Sequence, residues 1–165
     1  MIQSTKKPEF RARRSGMAMI YVLVSLVAML GFCSFAVDLG RVQTAKTEIR
    51  RGADAAARVA AAYLSQQPSG STSGIVQQKA EAIAQSNKVD GSPLILADSN
   101  VLIGTWDTTR TPAVFTKGGS PDPLNGIYSA VQVSASRQVP LLFGSILGAR
   151  NCNVTAISTA ALVAI

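Results

Sequence analysis

The sequence predicts an α+β fold: a long N-terminal helix that starts in a membrane, then a short helix, then a small antiparallel sheet packed on the long helix. Three observations predict it. Residues 17–37 form an uncharged apolar run, and small and apolar residues continue with a helical period as far as Gln67. After Gly91 the pattern changes to the alternation typical of strands. A chain of 165 residues has room for one small domain plus an anchor.

Residues 17–37 are predicted to cross a membrane. At about 1.5 Å per residue the run spans roughly 30 Å, the thickness of a hydrocarbon core. A cleaved signal peptide, the main alternative, would have a shorter apolar region and a break after it. Here Asp38 and the residues after it continue the helical pattern. Residues 1–16 are basic and are predicted to stay in the cytoplasm, so the C-terminal part should lie outside it.

The second half of the helix, residues 38–67, is predicted to be a stalk. One face of it is small or apolar, and this face is predicted to pack: Val42, Ala45, Ile49, Ala53, Ala56 and Ala60. Gly40 and Gly52 are predicted weak points, each costing about 1 kcal/mol relative to alanine. The sequence leaves open whether the distal domain closes on its own stalk or on that of a neighbouring subunit.

The distal domain is predicted to cover residues 75–165, after a flexible linker at 68–74 that is rich in serine and glycine. A second helix is expected at 75–87. The strands are expected at 101–106, 113–116, 127–136 and 154–163, where β-branched residues alternate with polar or small ones. Because a sheet with one apolar face needs a cover, the alanine face of the stalk is the expected partner.

The composition argues against an enzyme and predicts no catalytic, metal or cofactor site. The chain has no histidine, which excludes histidine-dependent nucleophile pairs and the usual zinc ligands. Much of the net charge of +7 lies in residues 1–16, and no basic stripe carries aromatics, so neither nucleic acid nor a small-molecule substrate is an expected partner. Cys33 and Cys152 are expected to be free or intermolecular. A membrane-tethered ligand-binding domain remains an alternative hypothesis.

Two sequence blocks resemble the TadE/TadG-like proteins of the Tad (Flp) pilus-assembly system. The N-terminal block joins 36–41 (AVDLGR) to 52–57 (GADAAA), and its family-signature residues here are Asp38, Gly40, Arg41 and Asp54. The C-terminal block joins 130–133 (AVQV), 137–143 (RQVPLLF), 147–148 (LG) and 154–156 (VTA). The resemblance implies a pilin-like architecture that works by assembly in or on the bacterial inner membrane.

The resemblance also implies a junction for a prepilin peptidase, between Gly16 and Met17. Pilin-like substrates carry a glutamate at the fifth residue after the cut, whereas this chain has Tyr21. This departure favours an anchored assembly component over a minor pilin that is cut and packed into a fibre at the cell surface. The expected partners are membrane lipid and other pilus or assembly subunits, or copies of the chain itself, met through the N-terminal helix.

Overall fold

The computed structural model describes residues 15–66 and 73–162. Residues 1–14, 67–72 and 163–165 lie outside the described residues, and with them most of the basic N-terminal segment, most of the predicted linker at 68–74 and the end of the predicted distal domain. The chain divides into two units, Met1–Val37 and Asp38–Ile165. The fold is α+β, as predicted from the sequence, with a long N-terminal apolar helix, a short helix and small antiparallel sheets.

The first helix, α1, runs from Ser15 to Gln66 and contains 52 residues. In the first unit, every residue from Gly16 to Val37 is exposed except the half-buried Ser34. Among the described residues, one helix is long and apolar enough to cross a membrane, and its apolar window lies in this part of the chain. The exposed apolar surface is therefore concentrated where the sequence predicts a span.

The second unit contains the rest of α1, helix α2 (Ser73–Ser86) and two antiparallel sheets. Helix α2 begins two residues before its predicted start, inside the expected linker. A small hairpin, β1 (Lys88–Val89) and β2 (Ser92–Pro93), follows it. Asp90 and Gly91 form the hairpin turn with φ angles of 49° and 77°, the left-handed pair that a tight hairpin turn requires. Two-residue strands are too short to show alternation, and the sequence did not predict them.

The main sheet has four antiparallel strands in the order β4-β3-β5-β6. Strands β3 (Val101–Asp107) and β4 (Val114–Lys117) lie close to their predicted positions. Strand β5 (Ile127–Pro140) continues four residues beyond the predicted end, and β6 (Asn151–Ala161) starts three residues early. The two are paired along their length, from Ala130 opposite Ala161 to Pro140 opposite Asn151.

The core lies between the sheet and the alanine face of α1, with α2 completing it. Alternate residues of β5 lie on this side, and Val131, Val133, Ala135 and Val139 are buried there. The buried hydrophobic residues of α1 are Ala45, Ile49, Ala53, Ala56, Ala57, Ala60 and Ala61. Since alanine side chains project so little, the sheet can approach the helix closely. The domain thus closes on its own stalk within one chain.

Gly52 is buried in this packing and is not simply a weak point of the helix. A Cβ atom added there would lie 2.8 Å from Cδ2 of Leu94, a distance that real Cβ contacts almost never show. A Cβ at Gly40, by contrast, would meet open space. The low helical propensity of Gly52 is thus accompanied by close packing, because any larger residue there would require Leu94 to shift.

Candidate functional site

Asp38 is the first residue of the second unit and accepts three backbone hydrogen bonds from one distant segment. Its carboxylate accepts N–H groups of Leu142 at 2.9 Å, Phe143 at 3.0 Å and Gly144 at 2.6 Å. These amides lead into a short 3-10 helix, Gly144–Leu147, whose first N–H groups have no partner within the helix. Asp38 therefore acts as a capping group supplied from more than a hundred residues away along the chain.

The hydrogen bonds decide the ionisation of Asp38, whose side chain lies outside the predicted span. Burial raises the pKa of this carboxyl group. The three backbone N–H donors and the nearby Arg41 lower it, and together they bring the pKa below its ordinary value. Asp38 is thus held as a carboxylate, the form that accepts all three bonds.

Arg41 makes the second contact between the stalk and a turn. Its guanidinium donates Nε–H to Oδ1 of Asp90 at 3.1 Å and Nη2–H to Oδ2 at 3.0 Å, a bidentate ion pair. This hydrogen bond to Asp90 raises the pKa of Arg41. The backbone N–H of Asp90 in turn donates to Oε2 of Glu48 at 2.8 Å. The Asp90–Gly91 turn is therefore held by two side chains of α1.

Helical spacing places these polar groups on the packing face of the stalk. Asp38, Arg41, Ala45 and Glu48 follow each other by steps of three, four and three, so they lie along one side of the helix. Asp38 and Arg41 lie at the start of the stalk, and Glu48 lies between the buried residues Ala45 and Ile49. We call Asp38, Arg41 and Glu48, with their partners Asp90 and 142–144, the stalk clamp.

The remaining residues of the predicted signature lie outside the clamp. Gly40 is exposed. Asp54 is half-buried on α1 and forms no ion pair with another described residue. The predicted junction residues, Gly16 and Met17, and the departing position, Tyr21, are exposed in the first unit.

The residues of the predicted packing face lie where the alanine face meets the sheet. Val42 is half-buried, and the other five residues are buried: Ala45, Ile49, Ala53, Ala56 and Ala60.

Sequence reasoning missed the partners in the clamp. Neither Asp90 nor Glu48 is among the candidate residues that the sequence indicates. The usable signal was an isolated acid, Asp38, directly after an apolar run, together with the VPLLF segment at 139–143. Neither shows by itself that the two segments meet.

The residues of the clamp form structural hydrogen bonds and an ion pair. The carboxylates of Asp38, Asp90 and Glu48 each accept hydrogen bonds within the clamp, so none is placed as a free general base. Within residues 15–66 and 73–162, no three His, Cys, Asp or Glu side chains are grouped so as to hold a metal ion. Cys33 is exposed and Cys152 is half-buried, and both are free thiols.

Comparison with protein families gives two matches. Residues 43–160 match the family described as Tad-like Flp pilus-assembly, and residues 16–62 match the family described as Flp pilus-assembly TadE/G-like. The two matches overlap on the stalk and together cover both halves of α1 and the distal domain. No curated protein and no solved structure gives a significant match to the chain. Because the first match alone covers more than half of the sequence, the chain belongs to the Tad-like Flp pilus-assembly family.

Proposed function

We propose that this protein is a non-enzymatic structural or assembly component of a Tad (Flp) pilus-like surface system. The first half of α1 anchors it in the bacterial inner membrane, with residues 1–16 in the cytoplasm. The stalk and the sheet domain lie in the periplasm. The protein acts by presenting a rigid domain at a fixed place above the membrane and by contacting other subunits there.

One observation carries the proposal: the two halves of one helix have opposite surroundings. From Gly16 to Val37 the apolar side chains are exposed, whereas from Ala45 the packing face is covered by the sheet. A soluble domain of this size rarely exposes such a large contiguous apolar surface. An anchor in lipid explains this exposure, and family membership supplies the assembly context.

The stalk clamp supports a structural role. It joins the start of the stalk to two separate turns of the domain through five hydrogen bonds from or to Asp38 and Arg41. Such bonds fix the loop at 142–144 and the Asp90–Gly91 turn to the start of the stalk within the second unit.

Deletion of the gene tests the assembly role. We expect the deletion strain to lose or reduce its surface fibres in electron micrographs and the wild-type gene to restore them. A chain carrying Val27→Arg, which places a charge in the middle of the span, should not restore them, whereas the matched Val27→Leu chain should. Normal fibres in the deletion strain would contradict the proposal.

A minor pilin, cut between Gly16 and Met17, is the second candidate. It is favoured by the position of this junction in the first turn of α1, where both residues are exposed. Intact mass of the protein purified from its host separates the two candidates. The anchored component keeps its N-terminal residues, while the fibre subunit starts at Met17.

A further inference from the structure

We propose that the loop 141–149 rests on the outer surface of the lipid bilayer and sets the depth and tilt of the domain. We call it the seating loop. This inference rests on the proposed anchoring of α1 in a membrane and adds a second lipid contact, made by a segment far from the anchor in sequence. The contacts, exposed side chains and backbone pairing of the loop carry it.

The stalk clamp fixes the loop at the level where the chain leaves the membrane. Asp38 follows Val37, the last residue of the predicted span, directly in the chain. The carboxylate of Asp38 holds three successive amides of the loop within 3.0 Å. The headgroup layer extends roughly 5–10 Å beyond the hydrocarbon boundary, so a loop held at Asp38 falls within it.

The side chains of the loop suit this layer. Leu142 is 57% exposed, Phe143 39% and Ile146 79%, so three large apolar groups project outward within five residues. Leu39, next to Asp38 on α1, adds a fourth at 49%. Elsewhere in the domain the exposed large apolar residues lie far from one another along the chain, as Ile95, Leu124 and Ile157 do. A cluster of this kind indicates a contact surface rather than ordinary scatter.

The backbone of the loop is suited to a medium poor in water. Polar backbone groups are costly in such a medium unless they are paired. Four other amides of the loop donate to backbone carbonyl groups. Leu141 donates to the carbonyl of Arg150 and Ile146 to that of Phe143. Gly148 donates to the carbonyl of Ser145 and Ala149 to that of Gly144. With the three amides on Asp38, seven N–H groups of the nine-residue loop have partners in the protein.

The position of the loop favours lipid over a protein partner. A docking surface for a subunit can lie anywhere on the domain, whereas a lipid contact must lie beside the end of the span, where Asp38 holds this loop. Arg150, exposed directly after the loop, can extend its guanidinium to lipid phosphates while its stem stays on the apolar surface.

Depth-dependent fluorescence quenching tests the proposal on the full chain in phosphatidylcholine–phosphatidylglycerol vesicles. Cys33 and Cys152 are replaced by alanine, and a single cysteine carrying an environment-sensitive fluorophore is placed at Ile146. Lipids carry a nitroxide either at the headgroup or deep in the acyl chain. We expect the emission of the label to shift to the blue and to be quenched more strongly by the headgroup nitroxide than by the deep one.

Two control positions make the result decisive. A label at Leu124→Cys, which is 98% exposed in the domain away from the clamp, should show neither effect. A label at Leu26→Cys, in the span, should be quenched by the deep nitroxide. If the label at Ile146→Cys shows neither effect, like the label at Leu124→Cys, while the label at Leu26→Cys is quenched, the proposed lipid contact of the seating loop is wrong. The proposed anchoring of α1 is then still supported. If Leu26→Cys is not quenched, the proposed anchoring itself fails.

A second labelled position guards against an effect of one substitution. Leu142→Cys should repeat the result of Ile146→Cys, with thermal unfolding of both variants matching the parent chain. If the labels are unquenched in vesicles but are shielded from water in native cell envelopes, the loop contacts a protein partner, and the proposed lipid contact is wrong.

Discussion

The two halves of α1 belong to one helix, yet they carry different residues in different surroundings. Between Gly16 and Val37 most side chains are apolar, many of them are large, and all residues but the half-buried Ser34 are exposed, whereas from Ala45 to Ala61 the buried side chains are almost all alanine. Hydrophobicity alone would place the first half in a core and the second on a surface. The comparison teaches that burial depends on the neighbouring element and not on hydrophobicity alone, because a sheet that approaches the helix closely requires small side chains.

The strongest test of this contrast uses the same substitution in both halves. Ile49 is fully buried on the stalk, and Ile20 is 62% exposed in the span. We expect Ile49→Ala to lower the free energy of unfolding of the domain by about 2–5 kcal/mol, because it leaves a cavity. Ile20→Ala should change it by less than about 0.5 kcal/mol. Chemical denaturation of both variants in the same detergent measures the difference, and equal losses would contradict the contrast.

The next largest effect is expected at the clamp, from Asp38→Asn. The amide keeps one acceptor oxygen but loses the charge and places an NH₂ group towards backbone donors. We expect a lower melting temperature and faster hydrogen exchange at the amides of Leu142, Phe143 and Gly144. Asp54→Asn is the matched control on the same helix and should leave those amides unchanged. Unaltered exchange in Asp38→Asn would show that the clamp does not hold the loop.

The stabilising contribution of Asp38 is also expected to depend on pH, and Asp38→Asn can measure this dependence. The folded-state pKa of Asp38 is lowered, so its stabilising contribution is complete above the ordinary value of 3.8 and is lost as the pH falls through the folded-state value. The difference in melting temperature between the parent chain and Asp38→Asn should therefore be constant near neutral pH and shrink in acid. A difference that grows in acid would contradict the assignment of the carboxylate as the bonded form.

A smaller effect separates the two glycines of the stalk. Gly40→Ala adds a methyl group in open space and should stabilise the domain by up to about 1 kcal/mol through helical propensity. Gly52→Ala gains the same propensity but forces its methyl group against Leu94, a side chain 1% exposed that has little room to move. We expect the melting temperature to rise for Gly40→Ala and to fall for Gly52→Ala. A rise in both would show that the packing at Leu94 is loose.

The smallest effect is expected from Arg41→Lys. Lysine keeps the charge but cannot donate two parallel bonds to Asp90. Because the pair is partly exposed, with side-chain exposures of 32% and 20%, we expect only a slight loss of stability. High salt screens the pair, so this loss should be smaller at high salt than at low salt. Thermal melts of both proteins at low and high salt measure it. A loss as large as that of Asp38→Asn would mean that the hairpin contact matters as much as the loop contact.

The sequence predicted the features that repeat along the chain. The alanine face and the alternation in β5 each show a period, and a period identifies both the element and its buried side. The pairing of Asp38 with 142–144 has no period, because one carboxylate meets three amides about a hundred residues away. The role of Gly52 depends on the position of Leu94, which no local rule gives. The family resemblance marked Asp38 and the VPLLF segment separately, without indicating that they touch.

The central claim is that the two halves of one helix, α1, lie in different surroundings. Its most direct test is to react single cysteines with a membrane-impermeant maleimide in spheroplasts whose inner membranes are intact. Cys33 and Cys152 are replaced by alanine, and cysteine is placed at Val27 in the span or at Arg50, which is exposed on the stalk. The account predicts that Arg50→Cys reacts at once and that Val27→Cys reacts poorly even after lysis. Equal reaction at both positions, or reaction of Arg50→Cys only after lysis, would contradict it.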